Sequence, residues 1–109
     1  MRVMMQISIP VEAGNKAARA GAFGAPMQKM IEALKPEAVY FAATENGERG
    51  GFVVFDMADT SQIPAIAEPF FLTFNAKLNI YPVMNAQDLA KAAPSIEKAV
   101  KDYSKAASA

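Results

Sequence analysis

The sequence predicts an α+β domain in which four strands form an antiparallel sheet and a further helix follows at the C-terminal end. Four short stretches are rich in β-branched and aromatic residues, and stretches rich in Ala, Met, Lys and Glu lie between and after them. The length of 109 residues is close to the commonest size of one domain. We therefore expect residues 1–109 to form a single domain, with a frayed tail at about 104–109.

The first strand and the first helical region follow directly from the pattern. Residues 3–9 alternate in character, and Pro10 ends the strand. Residues 13–34 are helical in composition, but the GAFGAP stretch at 21–26 is poor helix material because each glycine costs about 1 kcal/mol relative to alanine. Pro26 suits the first turn of a helix. The sequence thus predicts a short helix, a break and a stronger helix.

The middle of the chain predicts a hairpin. AVYFAAT at 38–44 and FVVFDM at 52–57 have the composition of strands. Between them, residues 45–51 contain Asn46-Gly47, a pair that favours a turn with positive φ. Charged residues keep this connection in water.

The last third predicts a helix, a strand and a final helical stretch. A helix is expected from Ser61 toward Phe71, with Pro69 kinking it or cutting it short. LNIYPV at 78–83 is the fourth strand. Asn85 caps the final helical stretch, and Pro94 restarts it.

This β-α-β-β-α-β order with a C-terminal helix is the ferredoxin-like arrangement. The expected strand order is 4-1-3-2, antiparallel, with the two main helices on one face. RNA-recognition domains share this topology, so the stretch ERGGFVVF at 48–55, which approaches their base-stacking signature, needs a separate explanation.

RNA binding is disfavoured by the aromatic count. Stacking needs rings on strands one and three, but strand one has no aromatic residue and strand three places only Phe52 on the exposed side. Lys plus Arg equals Asp plus Glu, at 11 each, so the chain has no net field to attract a polyanion. A buried strand that follows a glycine hairpin explains the stretch, and no nucleic-acid partner is expected.

Composition also limits the chemistry. The chain has no cysteine and no histidine. It therefore lacks thiol nucleophiles, disulfides, the commonest general base, the commonest metal ligand and the usual haem ligand. We expect no metal and no cofactor, and acid–base work would fall to carboxylates, tyrosines or lysines.

The sheet face away from the helices, here called the open face, is expected to be unusually apolar. The helices should cover Val3, Met5, Ile7, Val39, Phe41, Val53, Phe55, Leu78 and Ile80. The open face then carries Met4, Gln6, Ser8, Tyr40, Ala42, Thr44, Phe52, Val54, Asp56, Asn79 and Tyr81. Because an exposed antiparallel face is normally polar, we expect a second copy to pack on it as a homodimer. Burial of about 600 Å² of apolar area would contribute about 15 kcal/mol before the costs of association.

Five polar side chains on this face are the candidate ligand-binding residues. They are Gln6, Ser8, Tyr40, Asp56 and Tyr81. If a dimer cavity buried Asp56, its pKa would rise and it could act as a base. The competing interpretations are that Asp56 pairs with a backbone amide or an arginine, or that it is exposed at the end of its strand. For the tyrosines, the alternative is packing with a satisfied hydroxyl.

Several long segments resemble a family of small bacterial proteins of unassigned function in the dimeric α+β barrel superfamily. The segments are PVEAGNKAARAGAFG, QKMIEALKPEAVYF, GFVVFDMADTSQIPAIAEPFFLTFNAKLNIYPVM and DLAKAAPSIEKAVKDY. The resemblance implies a ferredoxin-like fold and a dimer, but it brings no catalytic motif. Other members of the superfamily include cofactor-free monooxygenases, muconolactone-type isomerases and haem-dependent chlorite dismutases, and the haem proteins use a histidine that this chain lacks.

Three functional hypotheses follow. The first is a homodimer that binds a small apolar or aromatic molecule between its sheets without catalysis. The second is a cofactor-free oxygenase or isomerase that uses Asp56 or a tyrosine as acid or base, and the third is an RNA-binding module. No apolar run reaches the length of a signal peptide or a membrane span, so we expect a cytoplasmic protein without a membrane partner.

Overall fold

Strands and helices alternate along the chain in the computed structural model, which describes residues 1–108, with side chains through Ser104. The elements are β1 (Arg2–Ile9), α1 (Val11–Arg19), α2 (Gly24–Ala33), β2 (Ala38–Ala43), β3 (Arg49–Asp56), a 3-10 turn (Thr60–Gln62), α3 (Ile63–Phe74), β4 (Lys77–Pro82), α4 (Ala86–Lys91) and α5 (Ala93–Ser108). Helix α5 enters the segment 104–109, which the sequence predicts as frayed, and Ala109 lies outside the described residues.

The four strands form one antiparallel sheet in the order β2-β3-β1-β4. This arrangement confirms the predicted α+β class and strand order, and it is compatible with a ferredoxin-like fold. β1 lies between β3 and β4, so its buried side chains are at the centre of the molecule.

The core lies between one face of the sheet and helices α2 and α3. Alternate residues of β1 and β3 point into it, as the period of two requires. The largest fully buried side chains are Phe55, Phe70, Phe74, Met5, Ile9, Val3 and Val53. The helices do not cover the whole face, however. Phe41 was expected beneath them, yet it is 71% exposed because β2 is an edge strand beyond the reach of α2.

Strand β3 begins three residues earlier than predicted. The sequence suggested a loop over 45–51, but Arg49, Gly50 and Gly51 already pair with β1 and β2. The turn closes between Thr44 and Glu48, where the Thr44 N–H donates to the Glu48 carbonyl at 2.8 Å. Two consecutive glycines, read as loop residues, are strand residues here.

The helices confirm most of the predicted boundaries and correct one. The chain breaks between α1 and α2, within the glycine-containing stretch. Helix α3 runs through Pro69 to Phe74 instead of ending near Phe71. Pro69 removes the hydrogen bond to the Ala65 carbonyl, but Ala65 is exposed, so water can satisfy that oxygen. The helix ends at Asn75, which adopts the left-handed conformation with φ 52°.

Side-chain caps begin both of the later helical regions. Asp59 accepts a hydrogen bond from the Ser61 N–H at 2.8 Å, and this bond lowers the pKa of Asp59 below its ordinary value. Asn85 and Asp88 form a reciprocal capping box at the start of α4, which confirms the predicted cap.

Helices α4 and α5 together form what we call the arm, which extends away from the rest of the molecule. The molecule measures 63 × 28 × 22 Å, and its radius of gyration is 18.6 Å. A compact domain of this length has a radius of gyration of about 13 Å. The excess reflects the arm, whose apolar side chains Leu89, Ile96, Val100 and Tyr103 are each more than half exposed.

Candidate functional site

The open face is an ordered grid of side chains in register across the four strands. One row, the central row, contains Tyr40, Phe52, Gln6 and Asn79, from β2 to β4. The next row contains Ala38, Val54, Met4 and Tyr81. The two rows together form a mainly apolar surface with two amide groups in it.

The single chain leaves this surface accessible to solvent. Tyr40 is 69% exposed and Tyr81 is 39% exposed, while Phe52 and Val54 are half-buried among their neighbours. No Lys or Arg occupies either row. Contiguous apolar surface without charge at its centre is typical of a binding interface.

Ser8 lies at one end of the open face in a small buried polar cluster. Its hydroxyl lies 2.9 Å from the Thr44 hydroxyl and donates to Glu48 Oε1 at 2.8 Å. Lys77 Nζ lies 3.5 Å from the same carboxylate oxygen. The partners that a buried Ser8 requires are therefore supplied by its own chain.

Glu48 is the member of this cluster that sequence reasoning missed. The sequence predicts a solvated loop at this position, but the Glu48 side chain is only 13% exposed. β3 begins at Arg49, so its alternation of sides extends back to Glu48. Glu48 lies two residues before Gly50 and is therefore on the same, open side of the sheet. A predicted strand that began at Arg49 instead of Phe52 would have placed Glu48 on the open side.

Asp56 lies at the other end of the face and is exposed. Its carboxylate lies 2.8 Å from the amino group of Met1, and its side chain is 81% exposed. Of the interpretations considered above, the structure of the single chain agrees with exposure at the end of the strand.

The five candidate ligand residues do not form one cluster within a chain. Tyr40 and Gln6 share the central row, and Tyr81 lies in the adjacent row. Asp56 pairs with Arg2, six residues before Ser8 on β1. At about 3.4 Å per residue, Asp56 and Ser8 are about 20 Å apart, too far for one small molecule to contact both. Of the five candidates, only Gln6, Tyr40 and Tyr81 therefore lie together in the two rows.

A second apolar surface, which sequence reasoning missed, lies on the helix side of β2. We call it the edge groove: it has a volume of about 580 Å³, and its lining includes Phe23, Met27, Ile31, Val39 and Phe41. Its existence depends on α2 leaving β2 partly uncovered. The exposed Phe41 is its most accessible aromatic side chain.

Arg49 forms one wall of the edge groove. Its guanidinium carbon lies 5.8 Å from the centre of the Phe23 ring, within the range of a cation–π contact. Arg49 Nη2 also donates to Asn15 Oδ1 at 3.0 Å. These contacts join α1 to the start of β3 and hold Phe23 beside the groove.

Arg2 connects the end of the sheet to the arm. Its Nε lies 2.7 Å from Glu37 Oε1, and its Nη1 lies 3.6 Å from Asp88 Oδ2 in α4. The hydrogen bond and the charge of Glu37 raise the pKa of Arg2 above its ordinary value, with a smaller contribution from Asp88. The direction in which the arm leaves the sheet is thus set by contacts at its base.

Two further features of the described residues concern metal binding and membrane spans. No three carboxylate, histidine or cysteine side chains converge there in a way that could hold a metal ion. Among the same residues, no helix combines the length and the apolar character needed to cross a membrane.

Comparison with known proteins gives a family but no activity. No curated protein matches the chain. Residues 1–97 match the family described as a domain of unknown function, DUF3303, so they include the whole sheet, the candidate site and the first turn of α5. The chain therefore belongs to the DUF3303 family.

Proposed function

We propose that the protein is a homodimer, paired through its open faces as in a dimeric α+β barrel, and that it binds a small apolar or aromatic molecule between the two sheets. The central row is the observation that carries this proposal, because it presents aromatic and amide side chains without a formal charge. A sheet face of this composition gains more from a partner than from water.

The side chains indicate which chemistry the ligand should have. Tyr40, Phe52 and Tyr81 offer ring faces and edges, which favour flat apolar molecules. Gln6 and Asn79 stand opposite each other on β1 and β4 and can bond a carbonyl or hydroxyl oxygen. A neutral aromatic compound with one or two oxygen substituents fits this set best.

Catalysis is the weaker candidate. A general base must lie within hydrogen-bond reach of the substrate, and Asp56 lies at the exposed end of the face, away from the central row. Tyr40 and Tyr81 are the acid–base groups near the site, and both are substantially exposed in the single chain. RNA binding has even less support, because β1 offers Met4, Gln6 and Ser8 but no ring.

Sedimentation of the wild-type chain and of Phe52→Glu tests the dimer. The wild type is expected to sediment at twice its 11.7 kDa mass, and Phe52→Glu as a monomer, because the new carboxylate would be buried between the sheets. Leu72→Glu is the matched control, since Leu72 is 80% exposed on α3 and should leave the dimer intact. A wild-type monomer, or a Phe52→Glu dimer of unchanged affinity, contradicts the proposal.

Fluorescence titration with 6-propionyl-2-(dimethylamino)naphthalene, a neutral aromatic probe that carries one carbonyl group, tests the site. The wild type should bind it saturably. Gln6→Ala should weaken the binding of the probe by about 5- to 10-fold, because one hydrogen bond to its carbonyl group is lost. Phe52→Glu should not bind the probe, whereas Leu72→Glu should bind it normally. Equal binding by Phe52→Glu and the wild type would place the probe elsewhere. An RNA oligonucleotide that bound more tightly than the probe would favour the third hypothesis.

A further inference from the structure

The chain carries two apolar surfaces that it does not itself cover. One is the edge groove, open beside Phe41. The other is a stripe along α5 formed by Ile96, Val100 and Tyr103, at helical spacings of four and three residues, with the exposed Leu89 preceding it on α4. The stripe is convex and the groove is concave, so the two are complementary in shape.

The charged residues of the arm lie away from the stripe and are of both signs. Lys98 Nζ lies 2.6 Å from Asp102 Oδ2 in an i,i+4 ion pair on the opposite side of α5. A helix that lies on an anionic membrane surface normally has a basic polar face. The mixed charges here are typical of a helix that packs on protein.

The arm begins at the edge of the sheet opposite the groove. It follows β4, one edge strand, whereas the groove lies along β2, the other edge strand. The capping box at Asn85 and the contact between Arg2 and Asp88 fix the start of the arm at the Arg2 end of the sheet. The groove of its own chain is therefore not the surface toward which the arm points.

We infer that the arm of each protomer packs in the edge groove of the other, with Ile96, Val100 and Tyr103 against the partner's Phe41 region. This inference rests on the proposed dimer. When two sheets pack face to face about a two-fold axis parallel to their strands, β4 of one protomer lies opposite β2 of the other. Each arm then starts at the same edge as the groove of the second copy. It starts at the Arg2 end of the strands, whereas the groove lies toward Phe41 and Arg49, about 17 Å farther along the strands.

The dimensions allow this exchange. Packed sheets lie about 10 Å apart, and the partner's helix side lies roughly 10 Å farther on. At about 1.5 Å per residue, the arm from Ala86 to Ser108 is about 35 Å long. The arm must cover about 20 Å across the sheets and about 17 Å along the strands, roughly 26 Å in all, which is less than its length.

The area needed by a stable dimer supports the same occupant. Standard interfaces bury about 800 Å² on each partner, and we expect the open face to supply about 600 Å² of apolar area. Two exchanged arms add four apolar side chains on each protomer. They also cover the exposed β2 edge, which otherwise invites uncontrolled strand pairing.

Engineered disulfides test the exchange cleanly, because the wild-type chain has no cysteine. Single variants Phe41→Cys and Val100→Cys are mixed, allowed to exchange subunits and oxidised, and the linked peptides are identified by mass spectrometry. We expect a disulfide between position 41 of one chain and position 100 of the other. Leu72→Cys mixed with Val100→Cys is the control and should yield at least 10-fold less cross-linked product.

The other outcomes overturn the inference in distinguishable ways. Dominant cross-linking between two Val100→Cys chains would mean that the arms pair with each other, and an intrachain bond in the Phe41→Cys/Val100→Cys double variant would mean that each arm folds on its own groove. A wild-type dimer with no 41–100 product would refute the exchange and leave the proposed function intact. A wild-type monomer would refute both.

As a second measurement, Val100→Glu in the full chain should weaken dimerisation at least 10-fold without abolishing it, whereas unchanged dimerisation would contradict the exchange.

Discussion

At Gly50 and Gly51, the space in the sheet does not admit even one added carbon atom. A Cβ on Gly50 would lie 1.9 Å from the Ile7 carbonyl oxygen, and a Cβ on Gly51 would lie 2.2 Å from the Tyr40 carbonyl oxygen. Both distances are far below van der Waals contact. The glycine pair that makes residues 48–55 look like an RNA-binding signature is therefore required by the packing of adjacent backbones.

Gly50→Ala is expected to lower the free energy of unfolding by about 2–3 kcal/mol, because β1 and β3 must separate to admit the methyl group. Gly24→Ala is the matched control, since nothing lies within 4 Å of its added Cβ. It should change stability by less than about 0.5 kcal/mol. Chemical denaturation measures both, and equal midpoints for the two variants would contradict the packing argument.

At the scale of elements, the packing of side chains can decide where a helix ends, even against a local signal. Pro69 is a strong local signal for ending a helix, yet α3 continues because Phe70 and Phe74 are both buried in the core. The burial of two aromatic side chains outweighs the loss of one backbone hydrogen bond, since each contributes about 1.5–3 kcal/mol or more. Tertiary packing overrides propensity here.

Pro69→Ala should therefore stabilise the protein, by at least about 1 kcal/mol, because alanine restores the N–H that can bond to the Ala65 carbonyl. Pro64→Ala is the control: Pro64 lies in the first turn of α3, where an N–H has no helical partner, so no gain is expected. Thermal unfolding of both variants provides the comparison. A loss of stability in Pro69→Ala would mean that the ring itself packs favourably.

At the scale of the whole molecule, the elongated shape leaves large apolar surfaces exposed to solvent. The open face, the edge groove and the arm stripe are all apolar, and each is left accessible by the single chain. The molecule is 63 Å long and exposes these surfaces, so it buries a smaller fraction of its surface than a compact chain of the same number of residues. The dimer that we propose would cover all three surfaces at once.

If folding and association are coupled in this way, the melting temperature should rise with protein concentration. A ligand or partner that binds only the folded state stabilises it in proportion to the logarithm of concentration, about 1.4 kcal/mol for each tenfold increase well above the dissociation constant. Scanning calorimetry over a hundredfold range of concentration measures this shift for the wild type. Phe52→Glu should show none, and a wild type with a concentration-independent transition would argue against an obligate dimer.

The sequence by itself determined the class of fold, the strand order and which side chains of β1 and β3 face the core. The class of fold and the facing of the side chains depend on periodicity, capping and turn chemistry, which act over a few residues and so can be recognised locally. The strand order follows from the ferredoxin-like sequence of elements, which admits few topologies. Asn85, for example, caps a helix for reasons contained within four residues.

Only the tertiary structure decided the exposure of Phe41 and Asp56, the burial of Glu48 beside Ser8, and the projection of the arm. Each depends on how far one element extends over another, or on where a strand lies in the sheet. Those distances are set by packing among residues far apart in the chain, and no local pattern encodes them.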